Sequence, residues 1–515
     1  MSWEQIEAAN QRLEAEQGTI YKDWGGRLPI ALIFPNTYYL GMSSLAVHSL
    51  YRFWNACDDV VCERVFVEPG VPPLSLESGA PLDYFPVLAI TLTYEMDYFN
   101  VVSLLREAGL PPRAADRDET HPLLIAGGPA ISANPEPLAP ILDAVVVGEV
   151  EPIFDDLTRA LHQIPGGRDA AFDALSQIPG LYLPHWSATT PVARQWLADL
   201  DRCPTHSAIL TPETEFGGMG LIEIARGCGR GCRFCLAGYG YRPPRERSLE
   251  QILAQAGELL AHTGRLGLVS AAVSDHSQID ELAVELRRLG ARLSVSSLRV
   301  DPAPEPLLQA LAESGTQTLT IAPEAGSERL RRAINKTQTA EDVLHAVELA
   351  ATYGFRQVKL YFMLGLPTEE EEDVAALVAL ALECAALFSG QVTANITPFV
   401  PKAHTPFQRV AQTPARVVKK RLDYVERNLW PQGIAVKSES PAWAEIQGSL
   451  SRGDRRVAEA ILAVERLTPG NWKQALRRAG LALPELLGAR PPDETLPWAM
   501  IQGGARARYL AREAR

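Results

Sequence analysis

Short continuous apolar runs alternate with stretches of helical spacing along most of this chain. Ile30 to Phe34 reads IALIF and stops at Pro35, and Met42 to Asn55 then repeats apolar residues at helical intervals. Similar runs recur at Val87 to Leu92, Leu123 to Ala126 and Ala144 to Val147, with helical segments at 97–109 and 151–163. A run apolar at every position suits a parallel strand buried on both faces, and strands that alternate with helices make a parallel sheet. The pattern therefore predicts an α/β fold with a doubly wound, Rossmann-like sheet over 28–165, preceded by a polar lead-in helix within 1–27.

From 166 to 217 the pattern loosens into Pro, Gly and polar residues and reads as a connector. A second alternating block spans 218–410, with strands expected at Leu221–Ala225, Leu266–Ser270, Arg292–Ser297, Thr318–Ala322, Val358–Met363 and Val392–Thr397. Six strands with helices between them fit a partial (β/α)6 TIM barrel, in which chemistry gathers at the carboxyl ends of the strands. Residues 411–515 read as a small helical C-terminal region (413–429, 454–466, 471–479) that ends in a basic, solvated tail.

Composition narrows the function. The chain has 515 residues, and at roughly 150 residues per domain it makes about three domains. No apolar stretch approaches the ~20 residues a membrane helix needs, and Glu383 interrupts the most apolar helix, Val374–Leu387. The first residues have neither a basic flank nor an apolar core, so a cytoplasmic protein without membrane contact is expected. A net charge of −13 disfavours extended nucleic-acid binding, while local RNA contact stays open. Seven cysteines are too few for a disulfide scaffold, so their placement is what matters.

Three of them share one loop, Ile224-Ala-Arg-Gly-Cys228-Gly-Arg-Gly-Cys232-Arg-Phe-Cys235, just after the first strand of the second block. The C-x3-C-x2-C spacing can turn three thiolates onto one polynuclear centre, and Gly227, Gly229 and Gly231 remove the Cβ clashes of so tight a turn. Arg226, Arg230 and Arg233 would offset the negative charge and lower the thiol pKa values. Three thiolates can hold three irons of a [4Fe-4S] cluster and leave the fourth open, as catalysis requires. Zinc ligation and plain buried thiols are the competing readings.

With Phe234 ahead of the last Cys, the loop resembles the signature of the radical S-adenosylmethionine (radical SAM) superfamily. The resemblance implies that Cys228, Cys232 and Cys235 bind the cluster and that the open iron chelates S-adenosyl-L-methionine, with Phe234 near its adenine. Further segments resemble family motifs at later strand ends: Ser297 and Arg299 toward the ribose and carboxylate, Glu324 after the fourth strand, and Gly365 toward the adenine. His276 and His404 read as satisfied or surface histidines.

Over 28–165 the chain is similar to the cobalamin (B12)-binding domain that precedes the barrel in one class of these enzymes. The layout comes nearest to bacterial radical SAM proteins with such an N-terminal domain. Asn36, Gly41, Gly127, Gly128 and Gly148 fall at the positions the resemblance assigns to the cofactor. The D-x-H-x-x-G motif of cobalamin sites, however, reads Asn36-Thr-Tyr38-Tyr-Leu-Gly41 here. Tyr38 replaces the axial His, so either cobalamin binds without a protein ligand or the domain has lost it.

The expected function is reductive cleavage of S-adenosylmethionine to a 5′-deoxyadenosyl radical, with methyl transfer to an unactivated carbon of an unknown substrate if cobalamin is bound. Without cobalamin, modification of RNA or of a small molecule stays open. The family's enzymes take their electron from a donor such as flavodoxin or ferredoxin. The rival from another class is a non-enzymatic zinc- or cluster-bearing sensor or assembly module. Cys57, Cys62, Cys203 and Cys384 are scattered and give no second cluster; a hydrogen-atom donor is sought among Cys384, Tyr239, Tyr241 and Tyr361.

Overall fold

The structure, a computed structural model, describes residues 3–186 and 191–514; residues 187–190 of the connector and the extreme ends of the chain lie outside the described residues. It is mixed α/β with two parallel sheets, as the alternating pattern predicts. The first sheet contains β1 (Leu28–Phe34), β2 (Val60–Phe66), β3 (Val87–Thr91), β4 (Leu123–Gly127), β5 (Ala144–Val146) and β6 (Leu181–Tyr182), in the order β2-β1-β3-β4-β5-β6. All pairings are parallel except β5 with β6.

Strand alternation divides the side chains of this sheet between two cores. Ile30 and Leu32 of β1 pack with helices 45–56, 154–161 and 168–176, while Ala31 and Ile33 pack on the opposite face with helix 98–107. That second face is completed from far along the chain: Ile446, Leu450, Val457, Ile461 and Trp472 belong to the same core. The C-terminal helices thus close the N-terminal sheet. Trp472 is fully buried, donates its indole N–H to Ser449 Oγ (2.9 Å) and meets Phe99 edge-on at 5.3 Å. Trp472→Ala is expected to cost about 3–5 kcal/mol of stability, read from chemical denaturation, because it empties the seam between segments some 370 residues apart.

The second sheet is the partial barrel: β7 (Gly220–Glu223), β8 (Arg265–Val269), β9 (Arg292–Val295), β10 (Thr318–Glu324), β11 (Gln357–Leu364), β12 (Gln391–Pro398) and β13 (Ala435–Ser438). β7, β8 and β9 form one parallel set and β10 to β13 another, joined by a parallel bridge from Leu298 to Ile321. The six expected strands are all present. The seventh, β13, lies in the C-terminal region between the expected helices 413–429 and 454–466, where no strand is predicted; its four residues, Ala-Val-Lys-Ser, are too few and too polar to announce one. Val358, Leu360, Phe362 and Leu364 of β11 are buried, while the alternate Lys359, Tyr361 and Met363 are more accessible, with Tyr361 40% exposed.

The lead-in helix is present as expected, whereas the expected solvated C-terminal tail is not. The lead-in helix, Trp3–Ala15, is anchored at its end by Glu16, which forms a buried ion pair with Arg64 (2.7 Å). The C-terminal segment is not a free tail: Ile501–Gln502 pairs in parallel with Val192–Ala193 of the connector, and a helix follows at Ala507–Glu513. Among the described residues no helix is long and apolar enough to cross a membrane.

Candidate active site at the cysteine loop

The loop is closed at its base by a two-residue antiparallel clasp, Arg226 opposite Arg245 and Ala225 opposite Glu246. Gly227 and Gly231 have φ of +84° and +72°, and a Cβ on Gly227 would lie 2.4 Å from the Tyr241 carbonyl oxygen. Glycine is required there by both backbone angle and space. Gly231 O accepts hydrogen bonds from Tyr239 Oη (2.6 Å) and Asn335 Nδ2 (2.8 Å), and Arg233 N donates to Ile334 O (2.9 Å). The turn is thereby held against the segment after β10.

Among the described residues no three His, Cys, Asp or Glu side chains converge as ligands of one metal ion. A cubane cluster asks for a wider spread, one thiolate per iron corner. Burial raises the Cys235 thiol to about 11, and the neighbouring Cys232 and Cys228 thiols act in the same direction. Burial also raises Cys232, partly offset by Lys336 and Arg299. The thiols therefore feel one another's charge, and metal binding would have to displace their protons.

Of the three loop arginines only Arg230 feels a cluster thiol, Cys228, as sequence proximity predicts, and its main partner is a carboxylate. Arg226 pairs with Glu149, Glu151 and Glu223 (2.8 to 2.9 Å), Arg230 with Asp275 (2.7 Å), and Arg233 donates to Ala333 O (2.9 Å). At Cys232 the cationic groups come from the segments after β9 and β10. Arg299 Nη1 lies 4.0 Å from Cys232 Sγ, and its Nη2 is fixed by Asp301 Oδ2 (2.8 Å). Arg299 Nε and Asp301 Oδ1 are buried without hydrogen-bond partners among the described residues. Glu324, at φ +66°, pairs with Lys336 (3.3 Å). These groups fit an anionic, hydrogen-bonding occupant beside Cys232. In the sequence Lys336 closes the Ile334-Asn-Lys336 stretch that resembles the end of the fourth-strand motif, but only the fold shows its charge acting on Cys232.

The other candidates are placed as follows. Phe234 packs beside Ala325, Met363, Leu366 and Phe399 at the strand ends, and Ser297 is exposed just beyond β9. Gly365, at φ +86°, donates its N–H to Glu369 Oε2 (2.9 Å) and accepts from Thr413 Oγ1 (2.9 Å), which makes it a turn former. His276 is buried with Nε2 3.0 Å from Arg247 O; His404 is buried and pushed down to about 4 by that burial. Of the four residues considered as hydrogen-atom donors, Cys384 and Tyr239 are buried, Tyr241 is half-buried and Tyr361 is exposed.

In the N-terminal domain a cavity of ≈ 300 Å³ lies between the sheet and helices 45–56 and 154–161. Gly127, Gly128 and Gly148 line it, and it extends to Glu149, Arg226 and Tyr241. Gly128 and Gly148 have positive φ, and a Cβ on either would strike backbone at 2.5 and 2.2 Å, whereas a Cβ on Gly127 meets only Val146 at 3.7 Å. Asn36 and Gly41 are not part of the lining: Asn36 Nδ2 donates to Asp97 (2.8 Å), and Gly41 packs against the Phe66 ring. Tyr38 is fully buried and donates to Glu16 (2.6 Å). His48 is also committed, with Nε2 3.0 Å from Met42 O and Nδ1 accepting from Ala208 N and Ile209 N (3.3 Å each).

One ion-pair network joins this cavity to the cysteine loop. Glu149 receives Arg245 (2.8 Å), Arg226 (2.9 Å) and Arg194 (3.3 Å), and Leu197 N donates to it at 2.9 Å. Burial raises the carboxyl, but Arg245 and Arg226 outweigh it and hold it below the ordinary range. A second tie, Lys402 to Glu95 (2.5 Å), joins the loop after β12 to the segment after β3.

Family models match both halves of the chain. Residues 46–184 match the family model for the N-terminal region of radical SAM proteins, and residues 222–381 match that of the radical SAM superfamily. An uncharacterized protein of Methanocaldococcus jannaschii is 33% identical over 84% of this chain and 90% of its own length. An uncharacterized methyltransferase of Pyrococcus horikoshii is 25% identical over 58% of this chain and 67% of its own. Among solved structures, the radical S-adenosylmethionine methyltransferase TsrM of Kitasatospora setae aligns over 71% of this chain and 72% of that one, at 15% identity and a TM-score of 0.49. With the cysteine loop set at the mouth of a partial barrel and both halves of the chain matched, this protein belongs to the radical SAM superfamily and is a radical SAM enzyme.

Proposed function

We propose that Cys228, Cys232 and Cys235 ligate a [4Fe-4S] cluster with one open iron for S-adenosylmethionine, and that the N-terminal cavity takes the nucleotide tail of a cobalamin for methyl transfer to carbon. When bound, such a cluster supplies one electron to the sulfonium, which divides into methionine and a 5′-deoxyadenosyl radical; a cobalamin supplies a methyl carrier. Arg299, fixed by Asp301, offsets negative charge beside Cys232, and Lys336 with Glu324 presents a polar wall at the same strand end. Phe234 offers a flat apolar face. Lys359 and Tyr361 stand on the accessible face of β11, where a substrate would be oriented.

The observation that carries the cobalamin reading is the cavity: its Leu45, Leu50, Phe53, Trp54 and Leu157 wall suits a flat heteroaromatic group, and its far end reaches the cysteine loop through Arg226 and Tyr241. Tyr38 and His48 are both committed elsewhere, so the cofactor would bind without either as cobalt ligand. The name of the Pyrococcus horikoshii relative supports methyl transfer. Protein produced with cobalamin uptake and purified without oxygen is expected to retain corrin absorption. Gly127→Leu, which projects a side chain into the cavity, is expected to lose the corrin and keep the iron. Wild-type protein without corrin, or a Gly127→Leu variant that binds it normally, would remove the cobalamin assignment.

A further inference from the structure

The C-terminal arm is folded against the cysteine loop. A Cβ on Gly504 would lie 2.4 Å from the Tyr239 carbonyl oxygen, and Tyr509 faces the Tyr239 ring at 6.4 Å. The Arg242 guanidinium sits 5.2 Å from the Tyr239 ring and 5.6 Å from the Tyr509 ring. Tyr239 in turn donates to Gly231 O (2.6 Å), the residue next to Cys232. One aromatic ring therefore spans the space between the arm and the backbone of the loop.

The surface of this arm is strongly basic on a chain whose net charge is −13. Arg242, Arg506, Arg508 and Arg512 line one groove with Tyr509, and Arg194 and Trp196 line the next, with Arg242 shared. Arg506 and Arg508 are exposed and, among the described residues, pair with no carboxylate; Arg512 reaches only the adjacent Glu513 (3.2 Å). Unpaired arginines kept together beside a buried centre are arranged for an anionic partner.

We propose that this arginine face is the docking surface of an acidic one-electron carrier protein that reduces the centre held by the cysteine loop. The proposal rests on the reading of that loop as a cluster site. In the step, one electron leaves the carrier's reduced flavin or iron–sulfur group and enters the cluster; the carrier is oxidised by one electron, the cluster is reduced by one, and no bond is made or broken. Electron transfer decays steeply with distance, and this face meets the loop one tyrosine away from Cys232. A nucleic acid would also suit the charge, but the tie of this face through Tyr239 to Gly231 O, in the backbone of the cysteine loop itself, favours a partner that delivers electrons to that loop.

The test uses the full chain with both arginines reversed, Arg506→Glu with Arg508→Glu, and photoreduced flavodoxin as the probe. Labelled flavodoxin is expected to bind the variant about tenfold more weakly than the wild type and with less salt dependence, as loss of steering charges predicts. Flavodoxin-driven deoxyadenosine formation should fall by about the same factor, while dithionite-driven formation stays unchanged. The milder Arg506→Gln with Arg508→Gln is expected to give an intermediate loss at unchanged thermal midpoint. Equal flavodoxin binding by variant and wild type overturns the proposal, as does loss of single-stranded RNA binding with flavodoxin binding intact. Reconstituted wild-type protein without iron overturns the cluster reading itself and electron delivery with it, whatever the binding result.

Discussion

Replacing Cys228, Cys232 and Cys235 together by alanine is expected to abolish iron binding and all reductive cleavage of S-adenosylmethionine, with the fold kept. Iron and sulfide counts on anaerobically reconstituted protein, and deoxyadenosine released under dithionite, give the readout. The loop's shape does not depend on the thiols: Gly227, Gly231, the Arg226–Arg245 clasp and the Asn335 bond to Gly231 O set it. Far-ultraviolet dichroism and the thermal midpoint of the apoprotein should therefore be unchanged. Cleavage that survives in the triple variant would refute the ligand assignment, and zinc without sulfide in the wild type would favour a non-enzymatic metal module. Single substitutions should lose nearly as much as the triple one, because a cluster missing one of three protein ligands is not retained.

Glu149→Ala is expected to produce the second-largest effect, a loss of about 3–5 kcal/mol in stability, because it strands Arg194 and Arg245 in a buried site without their anion and leaves Arg226 only Glu151 and Glu223. Since Arg226 stands two residues before Cys228, the iron content of the variant should fall as well. Glu149→Gln keeps the shape but not the charge, so it should recover part of the packing and little of the ion-pair energy. The pH dependence follows from the direction of the shift. With the native carboxyl held below its unfolded value, the contribution of Glu149 is complete above the ordinary carboxylate range and is lost as pH falls through the depressed native value. Denaturation midpoints of wild type and Glu149→Ala should therefore differ at neutral pH and converge on acidification.

Glu149 also shows what a linear reading misses. Its partners lie 45, 77 and 96 residues away in sequence, and nothing in the local segment Val147-Gly-Glu-Val distinguishes a surface carboxylate from the anion at the centre of three arginines. Arg226 is the converse case. Adjacency to Cys228 suggests a charge for the cluster, yet the fold commits that charge to Glu149, Glu151 and Glu223 and brings Arg299 and Lys336 to Cys232 from the segments that follow β9 and β10.

By itself, the sequence determined the parts whose cause is local. Continuous apolar runs specify parallel strands because both faces of such strands are buried, and β1, β3 and β4 fall where those runs lie. Three cysteines among glycines specify the loop because the spacing and the missing Cβ atoms are written in adjacent residues. Only the tertiary structure decided what closes each surface. It placed Trp472 and its helices on the open face of the N-terminal sheet, added Ala435–Ser438 as a seventh barrel strand, and folded the basic end onto the cysteine loop. The physical reason is the same in each case: an apolar face or a charge must find a partner, and that partner is selected by proximity in space, which the local pattern of residues does not encode.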